Sequence, residues 1–213
     1  DEQYGNGASN SQIRGALNQG RGAVAYCGHG WIGGFVSGDL DSNDINSLTN
    51  GGKLPFVVAV ACNVGEFHSG TCFGESWLRA TSGNEHTGGI GFYGSTVSQS
   101  WDPPMAAQDE VFDLLVAEQH ISLGALLFAG SGRMMDEYGS TGSYEFERWH
   151  LFGDPSVRVF GIVEPTSGMS VSPAEGLSAG GQAGGPFTPS EAVYTLENHG
   201  DQSIDFSVAH GGS

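Results

Sequence analysis

A chain of 213 residues can bury a core of its own, and its length suits one large domain with a smaller remnant. Its 24 acidic against 7 basic side chains give a formal charge of −17, which argues against nucleic acid as a partner because phosphates would be repelled. No apolar run approaches the roughly 20 residues of a membrane-spanning helix, and three cysteines make no disulfide framework.

The chain opens without Met, shows no signal peptide and stops mid-pattern at Gly212-Ser213, which reads as an excised piece. Residues 1–20 are polar, with a short helix expected over Ser11–Leu17. A first strand is predicted over residues 22–28, followed by the His29 turn and a Gly-rich loop. Asp41-Ser-Asn-Asp-Ile-Asn-Ser-Leu predicts an N-capped helix ending at Asn50-Gly-Gly. A second strand follows over 55–61, then helical spacing at Phe73, Trp77 and Ala80, then a third strand over Gly89–Ser95. Helices are predicted over 104–118 and 121–138, and a final strand over Ser156–Phe160. Strands alternating with helices at this spacing mean an α/β fold with a mostly parallel sheet.

Composition shifts at Glu164-Pro-Thr-Ser-Gly, which divides the chain into a domain over 1–162 and a segment over 163–213. In that segment short alternating runs (Met169-Ser-Val-Ser, Val193-Tyr-Thr-Leu, Ile204-Asp-Phe-Ser-Val) are separated by Gly, Pro and Asn, the pattern of a β-sandwich. Three strands cannot close a sandwich, so the segment is expected to be the start of a truncated domain.

Two apolar runs, Ala23-Val-Ala-Tyr-Cys-Gly-His29-Gly30 and Phe56-Val-Val-Ala-Val-Ala-Cys62, stop abruptly at reactive side chains. Runs without polar alternation read as strands buried on both faces, and ligands of such sheets gather beyond the carboxyl ends of the strands. A histidine and a cysteine delivered to one rim suit a cysteine hydrolase. The thiolate attacks, the imidazole carries the proton, and the N–H groups of Gly30 and Cys62 are placed to receive the oxyanion. A metal cluster of Cys27, His29, Cys62 and Cys72 is the rival, but no Cys-x-x-Cys or His-x-x-x-His spacing supports it.

These residues resemble the signature of caspase-like cysteine peptidases, and the sequence is most similar to their gingipain branch, peptidase family C25. The resemblance runs over residues 20–160 through Leu54-Pro-Phe-Val-Val-Ala-Val-Ala-Cys62-Asn-Val-Gly-Glu-Phe67, Cys72-Phe-Gly-Glu75-Ser-Trp-Leu-Arg79-Ala and Gly94-Ser-Thr-Val-Ser-Gln99-Ser-Trp101. It continues through Pro104-Met, Gln108-Asp109-Glu110 and Trp149-His-Leu-Phe-Gly153-Asp-Pro-Ser156, and favours the arginine-specific members.

The resemblance implies a caspase-like sandwich followed by the start of an immunoglobulin-like domain, on a secreted or surface protein. It implies Cys62 as nucleophile, His29 as general acid/base and Gly30 in the oxyanion hole, with no cofactor for catalysis. Gln99 and Trp101 match residues of a primary specificity pocket for a basic side chain. The pocket acid and the carboxylate that steadies the histidine belong, in that branch, to sequence upstream of Asp1. Structural calcium is also implied, at Asp109, Glu110 and Asp113 with Gln119 or His120 near a further ligand position, and at Glu75 with the Phe67 carbonyl. A solvated acidic face is the alternative for that cluster.

The expected activity is endoproteolysis of protein or peptide substrates through a thioester, after Arg or Lys. The rival readings are a processing or sorting protease of a secretion system with a different pocket, and a non-catalytic adhesion or scaffold module. Retention of both His29 and Cys62 counts against the last, because binding alone needs neither.

Overall fold

In the computed structural model, which describes residues 8–117, 122–159, 169–172, 180–182, 184–191 and 193–198, helix α1 (Asn10–Gln19) begins where Ser9 and Gln12 cap each other reciprocally and ends at Gly20. Strand β1 (Ala23–Cys27) is followed by a small antiparallel meander of β2 (Gly30–Trp31), β3 (Gly34–Phe35) and β4 (Leu40–Asp41). Helix α2 (Ser42–Asn46) starts where the Asp41 carboxylate accepts the Asn43 and Asp44 amides at 2.8 and 3.0 Å. Strand β5 (Phe56–Val60), helix α3 (Phe73–Arg79), the hairpin β6 (Thr81–Ser82) and β7 (Glu85–His86), and strand β8 (Gly91–Ser95) follow. Helix α4 (Asp102–Val116) opens on Pro103 and Pro104, which its first turn tolerates. Helices α5 (Leu123–Tyr138) and α6 (Ser140–Phe146) then lead into β9 (Trp149–Gly153).

The main sheet has the order β1-β5-β8-β9, parallel through β8, with β9 antiparallel at one edge. Every residue of β5 is at most 1% exposed, which explains why its sequence carries no polar alternation. The alternation is one of faces instead. Val57, Ala59 and Ala61 pack with α1, α2 and α3 through Leu17, Ile45, Phe73 and Trp77. Phe56, Val58 and Val60 pack with α4 and α5 through Val111, Leu123, Leu126 and Leu127. The result is the three-layer α/β arrangement expected, with a hydrophobic core on each face of the sheet. Gln108 of α4 fixes one layer to the sheet, donating to the carbonyls of Tyr26 on β1 and Val58 on β5 at 3.0 and 2.9 Å.

The predicted strands over 22–28, 55–61 and 89–95 are β1, β5 and β8, each trimmed by a residue or two. The final strand is corrected. It lies over Trp149–Gly153, while the predicted Ser156–Phe160 segment makes an isolated bridge of Arg158 with Ser122, the Val157 carbonyl accepting the Leu123 amide at 2.8 Å, and residue 160 is outside the described residues. Gly153, at φ 132, ends β9, and the Asp154 carboxylate then takes the Ser156 amide at 2.8 Å, turning the chain before a strand can form.

The chain divides into two compact units, Asp1–Ile162 and Val163–Ser213. In the second, β10 (Met169–Ser172) pairs antiparallel with β13 (Thr195–Asn198), and β11 (Gly180–Gly181) with β12 (Phe187–Thr188). The predicted run at Ile204 lies outside the described residues. No helix among the described residues is long and apolar enough to cross a membrane.

Candidate active site

Register brings the strand ends that carry the two reactive residues to one edge of the sheet. Cys27 pairs with Val60, the last pair of the β1–β5 ladder, and the Gly28 amide donates to the Val60 carbonyl at 3.1 Å. His29 and Cys62 each lie two residues beyond that pair, so both leave the sheet at its carboxyl edge, on strands spaced about 4.8 Å apart. Contact between the two turns is tight. A Cβ added at Gly30 would stand 2.8 Å from the Ala61 Cβ and from Val64 Cγ1, and 2.9 Å from the Cys62 carbonyl oxygen. Only glycine lets the histidine turn lie against the peptide of the cysteine. The Val36 amide donates to the His29 carbonyl at 2.9 Å, so Gly30 and Phe35 form a non-hydrogen-bonded pair and the Gly30 N–H points away from β3.

The third strand end completes the rim. After Cys62 the chain turns at Asn63, whose left-handed φ of 62° is one that asparagine tolerates. The Asn63 amide donates to the Val97 carbonyl at 3.0 Å and the Gly65 amide to Ser95 at 2.9 Å, lacing the cysteine turn to the end of β8. That places Gln99 over the sulfur, its N–H 3.5 Å from Cys62 Sγ and its carbonyl 3.9 Å away. Its side-chain amide is buried with neither end paired among the described residues, the condition of a group that meets water or a polar ligand. Trp101 meets the His29 ring edge to face, with centroids 5.4 Å apart. Cys62 is half-buried, and His29 and Trp101 are exposed, so the site opens to solvent.

Four residues singled out from the sequence (Cys62, His29, Gly30 and, at the sulfur, Gln99) thus converge, and Trp101 joins them through the imidazole. Sequence reasoning missed two supports. The Tyr26 hydroxyl donates to the His29 carbonyl at 2.8 Å and accepts the Ser37 amide at 3.1 Å, while its ring stacks on Phe35. Asn63 donates through its side chain to Glu66 at 2.7 Å, and this bond, with a second from Ser69, holds the Glu66 carboxyl below its ordinary range. An asparagine directly after a strand-end cysteine was the available signal for the turn; Tyr26 reads only as a strand residue.

The chain matches the family model of Peptidase family C25 over residues 1–160. It belongs to that family. Gingipain R2 of Porphyromonas gingivalis is 33% identical over 205 residues, which cover 93% of this chain and 27% of the relative. Gingipain R1 of the same organism is 34% identical over 178 residues, covering 81% of the chain and 18% of the relative. The chain therefore spans about a quarter or less of the length of these relatives. The crystal structure of the Arg specific cysteine proteinase gingipain R superposes with a TM-score of 0.68 at 32% identity, over 78% of this chain and 39% of that one. The fold is thus the caspase-like one expected of a gingipain-type cysteine peptidase.

Of the residues expected to hold calcium in this C25 chain, Asp109, Glu110, Asp113, Glu75 and Phe67 are among the described ones. Asp109, Glu110 and Asp113 line a cleft of about 340 Å³ with Asp102, Glu137 and Arg133. Arg133, itself in the lining, pairs with Glu110 at 3.2 Å and with Glu137 at 2.8 Å. Glu75 caps α3, accepting the Cys72 amide at 2.9 Å, and the Phe67 ring is half-exposed against His150 and Phe152. Gln119 and His120 lie outside the described residues. Among the described residues no group of three acidic, histidine or cysteine side chains is set to hold a metal ion, and no step is routed through calcium. Cys27 and Cys72 are likewise apart from the site. Burial, then the Asp109 charge, raises the Cys27 thiol above its ordinary range, and burial does the same to Cys72.

Proposed function

We propose that this chain carries the catalytic centre of a cysteine endopeptidase that cleaves after arginine. The observation that carries the reading is the meeting of the two turns at one rim, with Gly30 seated on the Cys62 carbonyl and the Gln99 N–H on Cys62 Sγ. His29 takes the thiol proton as Sγ attacks the scissile carbonyl carbon. The tetrahedral oxyanion is received by the N–H groups of Gly30 and Cys62. His29 then returns the proton to the leaving amine, and a thioester remains on Cys62. Water, deprotonated by His29, hydrolyses it and regenerates the thiol.

Arginine is favoured for three reasons. The Trp101 indole, 42% exposed beside His29, offers its face to a guanidinium. The unpaired Gln99 amide offers an acceptor beside it. The related solved structure is described as Arg specific. A secreted or surface location, and an immunoglobulin-like identity for the unit beyond residue 162, belong to the same proposal.

A fluorogenic peptide panel varied only at P1 tests it on the full-length protein. Turnover is expected for Arg, weaker for Lys and absent for Asp, with Cys62→Ala inactive and His29→Ala reduced by about 10²–10⁴-fold. Equal, negligible turnover of all three substrates by the wild-type protein would reject the peptidase reading.

A further inference from the structure

The segment that touches both reacting groups is held by a residue the catalytic scheme does not use. Glu145, on α6, is 3% exposed. One of its carboxylate oxygens accepts both the amide and the hydroxyl of Ser100, at 3.0 and 2.6 Å. Ser100 sits between Gln99, whose N–H reaches Cys62 Sγ, and Trp101, whose ring meets His29. Three residues beyond Glu145, the Arg148 carbonyl accepts the Thr96 amide and hydroxyl at 2.9 and 3.1 Å, so the 96–100 loop is tied down at both ends. Helix α6 is itself set close on α5: a Cβ at Gly142 would stand 2.1 Å from the Met134 carbonyl oxygen.

Stability alone is a poor reason for such a carboxylate. Its second oxygen is buried without a partner among the described residues, an arrangement that costs folding free energy. Two donors on one anionic oxygen, however, make short charge-assisted bonds that fix Ser100 in distance and direction. Nothing else among the described residues bonds Ser100.

We infer that Glu145 is a positioning residue: by clamping Ser100 it holds Gln99 against the nucleophile and Trp101 against the imidazole, and so keeps the primary pocket in register with the cysteine. This rests on the peptidase reading above. Release of the clamp lets both neighbours drift, and a misplacement of about 1 Å costs on the order of a hundredfold in rate.

The test combines kinetics with amide exchange on the full-length protein. For a P1-Arg substrate, Glu145→Ala is expected to lower kcat and raise KM together, reducing kcat/KM by about 10- to 100-fold. Glu145→Gln keeps an acceptor oxygen and should stay within about threefold of wild type. A merely structural loss would lower the concentration of active enzyme and leave KM where it was. Should Glu145→Ala fail to fold, Ser100→Ala removes the hydroxyl bond from an exposed loop position and should lower kcat/KM by about 3- to 10-fold. Exchange of the Ser100 amide should speed by about tenfold in Glu145→Ala and be restored in Glu145→Gln. Unchanged kcat and KM in Ser100→Ala and Glu145→Ala, or unchanged exchange at Ser100, would overturn the inference while leaving the peptidase reading intact. A wild-type protein that hydrolyses nothing would instead sink that reading, and Ser100 exchange would then decide the clamp alone.

Discussion

Gly30→Ala is the substitution that most directly challenges the packing of the two turns. The added Cβ would lie 2.8 Å from the Ala61 Cβ, 2.8 Å from Val64 Cγ1 and 2.9 Å from the Cys62 oxygen, where ordinary contact begins at 3.4 Å. Relief therefore needs a shift of at least about 0.5 Å, and nothing flexible is available to supply it. Ala61 and Val64 are at most 1% exposed, and the Cys62 carbonyl is backbone. The strain must move the 61–62 peptide or the histidine turn, and with it the Sγ that Gln99 contacts at 3.5 Å. Overpacking of this kind costs about 1–3 kcal/mol, or roughly 2–12 °C in Tm for a chain of this size. A sub-ångström displacement at the nucleophile should lower kcat/KM by about 10- to 100-fold. Gly22→Ala is the control, because a Cβ there meets nothing within 4 Å, and it should change stability by no more than about 0.5 kcal/mol. Removing the opposing methyl in Gly30→Ala/Ala61→Gly should recover part of both losses, a coupling that distant sites would not show. Denaturant midpoints and P1-Arg kinetics read the outcome. If Gly30→Ala matches Gly22→Ala in both, the turns do not press on each other as described.

Tyr26→Phe keeps the stack on Phe35 but removes the bonds to the His29 carbonyl and the Ser37 amide; unfolding free energy should fall by about 1 kcal/mol and kcat by a few-fold at unchanged KM, measured by urea titration and steady-state kinetics. Iodoacetamide at neutral pH should modify Cys62 before the other thiols and abolish activity in step, as followed by peptide mass mapping. Cys72 is fully buried with a raised thiol, and Cys27, though exposed, is raised by desolvation and by Asp109; removing that negative charge in Asp109→Asn favours the thiolate and should speed Cys27 labelling. Tyr93 is buried and donates to Ser131, which itself donates to Leu127, and burial raises its phenol above the ordinary value of 10.0. A folded pKa above the unfolded one means the stability it carries is complete below pH 10 and is lost as pH rises beyond it. Tyr93→Phe should therefore be less stable than wild type at pH 7, with the gap narrowing above pH 10 in urea midpoints.

How much of this site could be read from residues alone follows from which interactions are local. The unbroken apolar run of β5 told its burial on both faces, whereas β1, read the same way, is an edge strand with Ala25 and Cys27 exposed; the abrupt ends at His29 and Cys62 told the rim, because a parallel pair in register delivers both ends to one edge. Gln99 and Trp101 were legible only through resemblance, since they lie four and six residues beyond the end of β8, in a loop with no period to read. The meander over 30–41 has strands of two residues, too short for any alternation, and looked like loop. The strand at 149–153 was displaced to 156–160 because Val157 and Val159 alternate there, while Trp149 to Gly153 earns its place only by pairing with β8. Helix α6 carries Gly, Ser and Thr that favour turns, and it exists through its close seat on α5. Glu145, in turn, looks like any surface acid in Tyr-Glu-Phe-Glu-Arg; only the fold buries it and points one oxygen at Ser100, 45 residues earlier in the chain. The reacting groups of such a centre are local consequences of strand ends, whereas the residues that hold them in register come from elements whose positions depend on the whole core.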